Sequence, residues 1–269
     1  MVRRALLIVA LLPLSACRPD TVSLEYSYEP GSELEYELVA TATSTWDIGG
    51  EGEGSYQVTF DVSEVVESRA GDEAVIDISL TPTDVVERGL PSPGTGPRSF
   101  TLRVGSSGEV LEVLAVDDVP ADSLDPDQLV FIGTYRPPVA LEPVGLHDTW
   151  RSRQEVQVGP VFQQIDTLGT LESLDRDASG RFARIDYLGD GPLSYTTTLP
   201  QGTAELTGSA ETTTQAILDL ESGVLRRSRS TTLGRFEVRV APALGGAPVT
   251  GTLEFELNLD LDPAAAGSG

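Results

Sequence analysis

The chain has 269 residues, with 42 acidic against 18 basic side chains, a formal net charge of -24, one Cys and one His. All basic residues are arginine, which excludes a Schiff-base lysine, a pyridoxal-phosphate anchor and a P-loop lysine. One Cys excludes an internal disulfide and a cysteine metal cluster, and one His excludes a histidine-rich zinc site. So strong a negative charge also excludes nucleic acid as a partner.

The N-terminal residues have the parts of an export signal. Arg3 and Arg4 precede the apolar run 5–12, which is shorter than the about 20 apolar residues needed to span a bilayer. The run leads to Leu14-Ser15-Ala16-Cys17, which resembles the lipobox of bacterial lipoproteins. The resemblance implies that residues 1–16 are a cleaved signal peptide and that Cys17 carries a diacylglycerol as the first mature residue. An ordinary cleaved signal with a chance cysteine is the alternative.

A lipid on Cys17 would place the mature protein at a membrane. Two or three acyl chains anchor a soluble domain stably. Without the two arginines of the signal the mature charge is -26, so anionic headgroups would repel the protein surface and the lipid alone would hold it. We therefore expect export across the cytoplasmic membrane. The anchored protein would then lie on the outer face of that membrane or the periplasmic face of an outer membrane, with residues 17–30 forming the lipidated cysteine and its tether.

Apolar and polar residues alternate along several stretches of the mature chain, the pattern of antiparallel strands with one solvated face. The clearest stretches are 34–40, 56–62, 74–80, 100–104 and 253–261. Turns rich in Gly, Ser and Asp separate them. The sequence therefore predicts an all-β protein.

An internal repeat organises these strands. Segment 31–36 lines up with 145–150, 71–77 with 180–186, and 107–110 with 222–225, an offset of roughly 110 residues. The repeat predicts two similar antiparallel β units that form a curved sheet, an open barrel or a sandwich. Chance similarity between hairpins is the alternative explanation.

The repeat also sets the predicted boundaries of the mature chain. The first β half covers residues 31–118 and the second covers residues 144–262. A connection rich in Pro and Asp joins them over residues 119–143, and residues 263–269 form a flexible tail.

The second half opens with LEPVGLHDTW at residues 141–150. This segment resembles the "Pro-Val-x-x-Gly-Asp-x-Trp" opening of the second half in uncharacterised β-rich bacterial envelope lipoproteins. A lipid-anchored, curved antiparallel sheet is also similar to the lipoprotein-carrier and lipid-binding lipoprotein folds of bacterial envelopes. These resemblances imply an architecture, and an architecture does not fix a function.

One segment has the spacing of a calcium loop. Asp175, Asp177 and Ser179 alternate before Gly180, and Asp186 stands at the twelfth position. Asp replaces the usual bidentate Glu, and the flanks are predicted strands instead of helices. We therefore favour a β-hairpin turn over a metal site.

His147 and Asp148 are a candidate catalytic pair, together with the many paired carboxylates such as Asp117 and Asp118. The sequence has no Gly-x-Ser-x-Gly elbow that would supply a nucleophile. We therefore favour a turn in which Asp148 bonds the backbone ahead of a strand led by Trp150.

Arg226, Arg227 and Arg229 form the one basic cluster of the sequence. They are candidates for docking a protein partner, and pairing with the acidic faces of neighbouring strands is the alternative.

Taken together, these features predict a non-catalytic binding protein of the cell envelope, without a cofactor. The membrane is its partner through Cys17, and a lipid or other hydrophobic ligand, or an envelope protein, would lie on the apolar sheet face. A structural or docking module that uses sheet edges and the arginine cluster is the alternative. A hydrolase built on carboxylates and His147 is the weakest candidate.

Overall fold

The computed structural model describes residues 21–90, 96–123, 136–158, 161–178, 180–199, 202–243 and 246–264. These residues form twelve β-strands and one short 3-10 helix, Ala121–Ser123. Among them there is no helix long and apolar enough to cross a membrane. The strands are β1 (Glu33–Ile48), β2 (Glu51–Ala70), β3 (Glu73–Arg88), β4 (Arg98–Gly105), β5 (Val110–Val116), β6 (Val119–Pro120), β7 (Thr149–Val158), β8 (Val161–Asp177), β9 (Gly180–Leu199), β10 (Gly202–Asp219), β11 (Leu225–Pro242) and β12 (Val249–Pro263).

All twelve strands belong to one antiparallel sheet, in the order β6-β5-β4-β3-β2-β1-β12-β11-β10-β9-β8-β7. Each half is a simple meander, and the halves join where β1 pairs with β12 over thirteen residue pairs, from Tyr36–Pro263 to Ile48–Gly251. The sheet is curved and does not close into a barrel. The predicted all-β class is confirmed, and of the three arrangements considered the curved sheet is the one present.

The segments matched by the repeat fall at equivalent places in the two halves. Gly71 lies in the turn between β2 and β3, and Gly180 opens β9 after β8. Gly108 and Gly223 lie in the turns that follow β4 and β10. Each strand of the first half therefore has a counterpart six strands later in the chain. That counterpart also lies six positions away in the order of strands across the sheet.

The period-two patterns place apolar residues on one face of the sheet, the inner face, which carries the core. In β1, Tyr36, Leu38 and Ala40 are buried while Glu35 and Glu37 are exposed. Burying a Leu or Ile side chain in this way contributes about 1.5–3 kcal/mol. The alternation follows because successive side chains of a strand point to opposite faces.

The inner face is filled at one end by chain that lies outside the strands. The main core cluster includes Leu24, Tyr26 and Tyr28 from residues 22–28, the N-terminal segment, and Val139 and Val144 from residues 136–144, the connection segment. These two segments were predicted to be parts of a tether and of a linker. They are instead packed in the core, because their apolar side chains cover the inner face. We call this the plugged end.

A second, smaller core cluster lies toward the opposite ends of β9 to β12 and is built around Leu193, Leu206, Phe236 and Val238. None of the described residues of the N-terminal or connection segment belongs to it. We call this the open end of the sheet.

Candidate functional site

The N-terminal segment ties the two halves together at the plugged end. The Tyr26 N–H donates to the Ser106 carbonyl at 2.9 Å, in the turn after β4. The Ser27 N–H donates to the Gly223 carbonyl at 3.0 Å, in the equivalent turn after β10. Two adjacent residues of one segment therefore bind matching turns of the two β units.

Both turns have a glycine where the segment passes. Gly108 has a φ of 88° and Gly223 a φ of 66°, the left-handed region that disfavours other residues. A Cβ on Gly108 would overlap the Tyr26 ring, and a Cβ on Gly223 would lie 2.6 Å from the Ser27 nitrogen. The two glycines are required by backbone conformation and by the closeness of the segment.

A buried ion pair closes the plugged end. The Arg136 guanidinium pairs with Glu64, which lies on the inner face of β2, and both side chains are almost fully buried. Arg136 also donates to the Tyr28 hydroxyl at 3.1 Å and lies 5.3 Å from the Tyr26 ring centre. Because a buried charge requires a partner, the pair fixes the connection segment against β2.

The tyrosines around this pair stay protonated. Burial raises the pKa of the Tyr26, Tyr36 and Tyr187 hydroxyls above the ordinary tyrosine value. The Tyr26 hydroxyl donates to the Pro137 carbonyl at 2.9 Å. The plugged end is thus a packed, hydrogen-bonded structure whose side chains hold the chain in place.

At the open end the inner face is apolar and only half-buried. Trp46 on β1 faces Leu253 on β12, and Ser44 faces Phe255. Tyr56 on β2 faces Ala42. Because directly paired residues of an antiparallel sheet point to the same face, these side chains form one surface. We call the surface the apolar trough, and its half-buried members are Trp46, Tyr56, Leu253 and Phe255.

Glycines let the aromatic rings of the trough lie flat on the sheet. Gly52 pairs with Trp46, and Gly234 pairs with Phe255. A Cβ at either glycine would overlap the ring of its partner. Phe255 also stacks on Phe236, with ring centres 5.7 Å apart and planes at 12°. The floor of the trough is therefore broad and smooth, which suits an extended apolar chain.

A band of hydroxyl side chains adjoins the trough on the inner face of the second half. Three cross-strand pairs form it: Ser152 with Thr167 at 2.8 Å, Thr212 with Thr232 at 2.9 Å, and Thr214 with Ser230 at 2.9 Å. The inner-facing positions of β10 from Ala204 to Leu218 carry no charged residue. The lining thus changes from apolar to hydroxyl without passing a charge.

The outer face of the same strands is densely charged. Arg229 pairs with Asp260 at 3.0 Å and Arg235 with Glu254 at 2.9 Å, each with its directly opposite residue. A shallow groove of about 640 Å³ crosses this region and has four acidic residues in its lining. In the described parts of the chain no cluster of three or more His, Cys, Asp or Glu side chains could hold a metal ion.

Every arginine of the predicted docking cluster pairs with an aspartate side chain. Arg226 donates to Asp219 with an Nε–Oδ2 distance of 3.0 Å, and Arg227 and Arg229 pair with Asp262 and Asp260 of β12. The cross-strand pairing considered from the sequence is therefore present. Docking of a partner at this cluster stays a hypothesis.

The calcium-loop candidates lie around a hairpin. β8 ends at Asp177 and β9 begins at Gly180, while Ser179 lies outside the described residues. Asp175 accepts a hydrogen bond from the Ser173 hydroxyl at 2.7 Å. Asp186 lies farther along β9, where burial and then the charge of Glu172 raise its pKa. The hairpin turn favoured from the sequence describes this segment.

His147 and Asp148 form a turn. His147 has a φ of 64°, and its N–H donates to the Leu171 carbonyl at 2.8 Å. The Asp148 carboxylate accepts the Gly145 N–H at 2.7 Å. Asp148 thus bonds the backbone ahead of β7, as the turn interpretation expects. Cys17 and the other residues of the predicted lipobox lie outside the described residues.

Sequence reasoning did not identify Arg136, Glu64 or the trough as features of interest. One signal was present: Glu64 occupies an inward position between Val62 and Val66, where the strand pattern calls for an apolar residue. A charged residue at such a position indicates a buried partner. Nothing local to Glu64 points to Arg136, which is 72 residues away.

Comparison with known proteins gives a distant likeness. No family model matches the chain, and no curated protein matches it. Among solved structures the chain is similar to "Lipid-protein interactions in lipovitellin", with 14% identity and a TM-score of 0.42, over 90% of this chain and 26% of that one. The chain therefore spans about a quarter of that protein's length. At this level of similarity the likeness carries no functional argument.

Proposed function

We propose that this protein is a lipid-anchored, non-catalytic envelope protein that binds an extended, uncharged apolar chain, such as the acyl chain of a lipid, in the apolar trough. One observation carries the proposal. The chain itself covers the inner face at the plugged end, while the trough at the open end keeps Trp46, Tyr56 and Phe255 half-exposed. Half-exposed aromatic residues gathered on one surface are typical of a ligand site.

The lining restricts the chemistry of the ligand. The trough and the hydroxyl band together offer apolar contacts and neutral hydrogen-bonding groups. The protein as a whole carries a net charge of -24, which disfavours an anionic ligand. A molecule with an apolar chain and a neutral, hydroxyl-bearing head group fits both parts of the surface.

The anchor and the location follow from the lipobox. Leu14-Ser15-Ala16-Cys17 supports lipidation of Cys17, and lipidation would hold the protein on an envelope membrane. A protein fixed at a membrane and able to bind an acyl chain would take up its ligand where lipids are present. Retention at the membrane would thus depend on Cys17, whereas ligand binding would depend on the apolar trough.

The two tryptophans provide the test, because each lies at a different end of the sheet. Trp46 lies in the trough, whereas Trp150 lies at the plugged end, where its N–H donates to the Pro138 carbonyl at 3.3 Å and its ring meets Tyr187 edge-on. We would prepare a form that begins at Arg18 and carries either Trp150→Phe or Trp46→Phe. Titration with a brominated monoacylglycerol, which has a neutral, hydroxyl-bearing head group and whose bromines quench nearby indoles, is expected to quench Trp46 saturably and to leave Trp150 unchanged.

A matched pair of variants separates the trough from the rest of the surface. Leu253→Ser removes an apolar side chain from the trough, and Leu233→Ser removes an exposed one from the outer face of β11. We expect Leu253→Ser to raise about tenfold the ligand concentration that gives half-maximal quenching of Trp46. Leu233→Ser should leave this concentration unchanged. Equal quenching of both tryptophans, or no quenching of either, would refute the proposed site.

A further inference from the structure

We infer that Leu141 and Leu146 form a membrane-contacting tip beside the lipid anchor, so that the plugged end of the sheet faces the bilayer. The inference rests on the proposed lipidation of Cys17. It adds a surface of the folded domain to the anchor, and it gives the domain a fixed orientation.

The predicted lipid anchor lies only a few residues from the folded domain. Val22 and Val144 form an isolated antiparallel bridge, with N–O distances of 2.8 and 2.9 Å. Cys17 precedes Val22 by five residues. Even a fully extended chain of that length spans only about 18 Å. The turn that contains Val144 is thus held close to the bilayer that receives the acyl chains.

Two leucines that flank Val144 in the sequence are exposed. Leu141 is 79% exposed, the highest value among the large apolar side chains that the structure describes, and Leu146 is 50% exposed. Their apolar neighbours Val139, Ala140 and Val144 are buried in the core. The segment therefore has two apolar side chains left on its outer side, at the point nearest the anchor.

Hydrogen bonds fix the turn of residues 145–148. The Asp148 carboxylate accepts the Gly145 N–H at 2.7 Å, and the His147 N–H donates to the Leu171 carbonyl of β8 at 2.8 Å. The first of these bonds closes the turn, and the second ties it to β8. Leu146 lies inside this turn, and Leu141 directly follows the buried Val139 and Ala140, so the backbone of both leucines is held by the fold and needs little further ordering at a membrane.

The negative charge of the protein favours insertion of apolar side chains over electrostatic attraction to headgroups as the membrane contact. Glu142 lies between the two leucines and is exposed, and the protein is strongly acidic. Attraction to anionic headgroups therefore cannot hold the tip, and insertion of apolar side chains beside the acyl anchor can. With the tip on the bilayer, the apolar trough at the other end of the sheet is directed away from the membrane surface.

The chemistry of Cys17 makes the test direct. In the full lipidated protein the only native thiol is consumed by the diacylglycerol, so one introduced cysteine is the only site for a thiol-reactive dye. Leu141→Cys and Leu146→Cys would each be labelled with an environment-sensitive nitrobenzoxadiazole and reconstituted into phosphatidylcholine vesicles that contain doxyl-labelled phosphatidylcholine. Leu233→Cys, at an apolar position 51% exposed on the outer face of β11, is the matched control.

We expect the dyes at 141 and 146 to shift to shorter emission wavelength and to be quenched severalfold more than the dye at 233. If the protein floats with the vesicles but the dyes at all three positions behave alike, the proposed membrane-contacting tip is wrong. The proposed lipid anchor and the proposed ligand site in the trough would not be affected. A wild-type protein that reacts with maleimide at Cys17 and does not float with vesicles would overturn the anchor, and the tip with it.

Discussion

Gly108 and Gly223 occupy equivalent turns of the two β units, and each leaves room for one residue of the same N-terminal segment. The Tyr26 ring lies over Gly108, and the backbone of Ser27 lies against Gly223. Both turns also provide a carbonyl for this segment, from Ser106 in one case and from Gly223 itself in the other. The internal repeat therefore makes a pair of matching clamps that close on a single stretch of chain.

Replacing either clamp glycine should destabilise the protein. Gly108→Ala and Gly223→Ala would each combine an unfavourable left-handed φ with overlap of the N-terminal segment, for a loss of about 3 kcal/mol in the free energy of unfolding. Urea denaturation followed by tyrosine and tryptophan fluorescence measures this loss.

Gly71 is the matched control for the clamp. It has a similar φ of 65°, but a Cβ there would meet no atom within 4 Å. Gly71→Ala should cost only about 1 kcal/mol, the backbone contribution alone. Equal losses at Gly71 and Gly108 would show that the close approach of Tyr26 has no energetic weight.

The buried pair of Arg136 and Glu64 should behave as one unit. Arg136→Met or Glu64→Gln would leave one buried group without its partner and should cost about 3–5 kcal/mol. The double variant should recover much of that loss, because no buried charge remains. A double-mutant cycle from urea unfolding gives the coupling energy, and a cycle on the exposed pair Arg229 and Asp260 should give only about 0–1 kcal/mol.

Asp219 should make stability depend on pH. Burial of its carboxylate opposes ionisation, but hydrogen bonds from the Ser222 and Glu221 N–H groups and from Arg226 outweigh it and lower the pKa below the usual aspartate value. A pKa that is lower in the folded than in the unfolded protein stabilises the fold above the unfolded value of about 4. This stabilisation is lost as the pH falls through the folded pKa.

Asp219→Asn should therefore lower the free energy of unfolding by about 2 kcal/mol at neutral pH and flatten its decline in acid. Urea unfolding at a series of pH values down to about pH 3 tests this. Asp260→Asn, on the exposed outer face, should have little effect at any of these pH values. An unchanged pH profile in Asp219→Asn would contradict the assignment.

The arginine cluster can be tested as a docking surface without loss of its ion pairs. Arg229→Glu places two acidic residues opposite each other and should cost about 0.5–1 kcal/mol. The exchange Arg229→Glu with Asp260→Arg restores the cross-strand pair and reverses the local charge pattern. Unfolding measurements follow the recovery, and a pull-down from envelope extract compares partners. Partners that bind wild type but not the exchanged variant would favour the docking alternative.

Local pattern was sufficient to predict five of the twelve strands, β1 to β4 and β12. The alternation in 34–40 and in 253–261 placed the apolar residues on one face, and the buried Leu38 and Leu261 confirm it. Glycine-containing turns placed the hairpins, because a left-handed backbone at positions such as Gly71 is a local requirement. The repeat, too, was visible, since both units place similar turns at similar spacing.

The sequence by itself determined the all-β class, the two-unit organisation and the prediction of an exported, lipid-anchored chain, because these depend on neighbouring residues and short motifs. Only the tertiary structure decided that β1 pairs with β12 and that Trp46 remains half-exposed. It also showed that Tyr26 and Tyr28, predicted to belong to a tether, are packed in the core on the inner face. Pairings such as Ala40 with Leu259 join residues far apart in the chain. Their register depends on how the whole sheet curves, which no local pattern encodes.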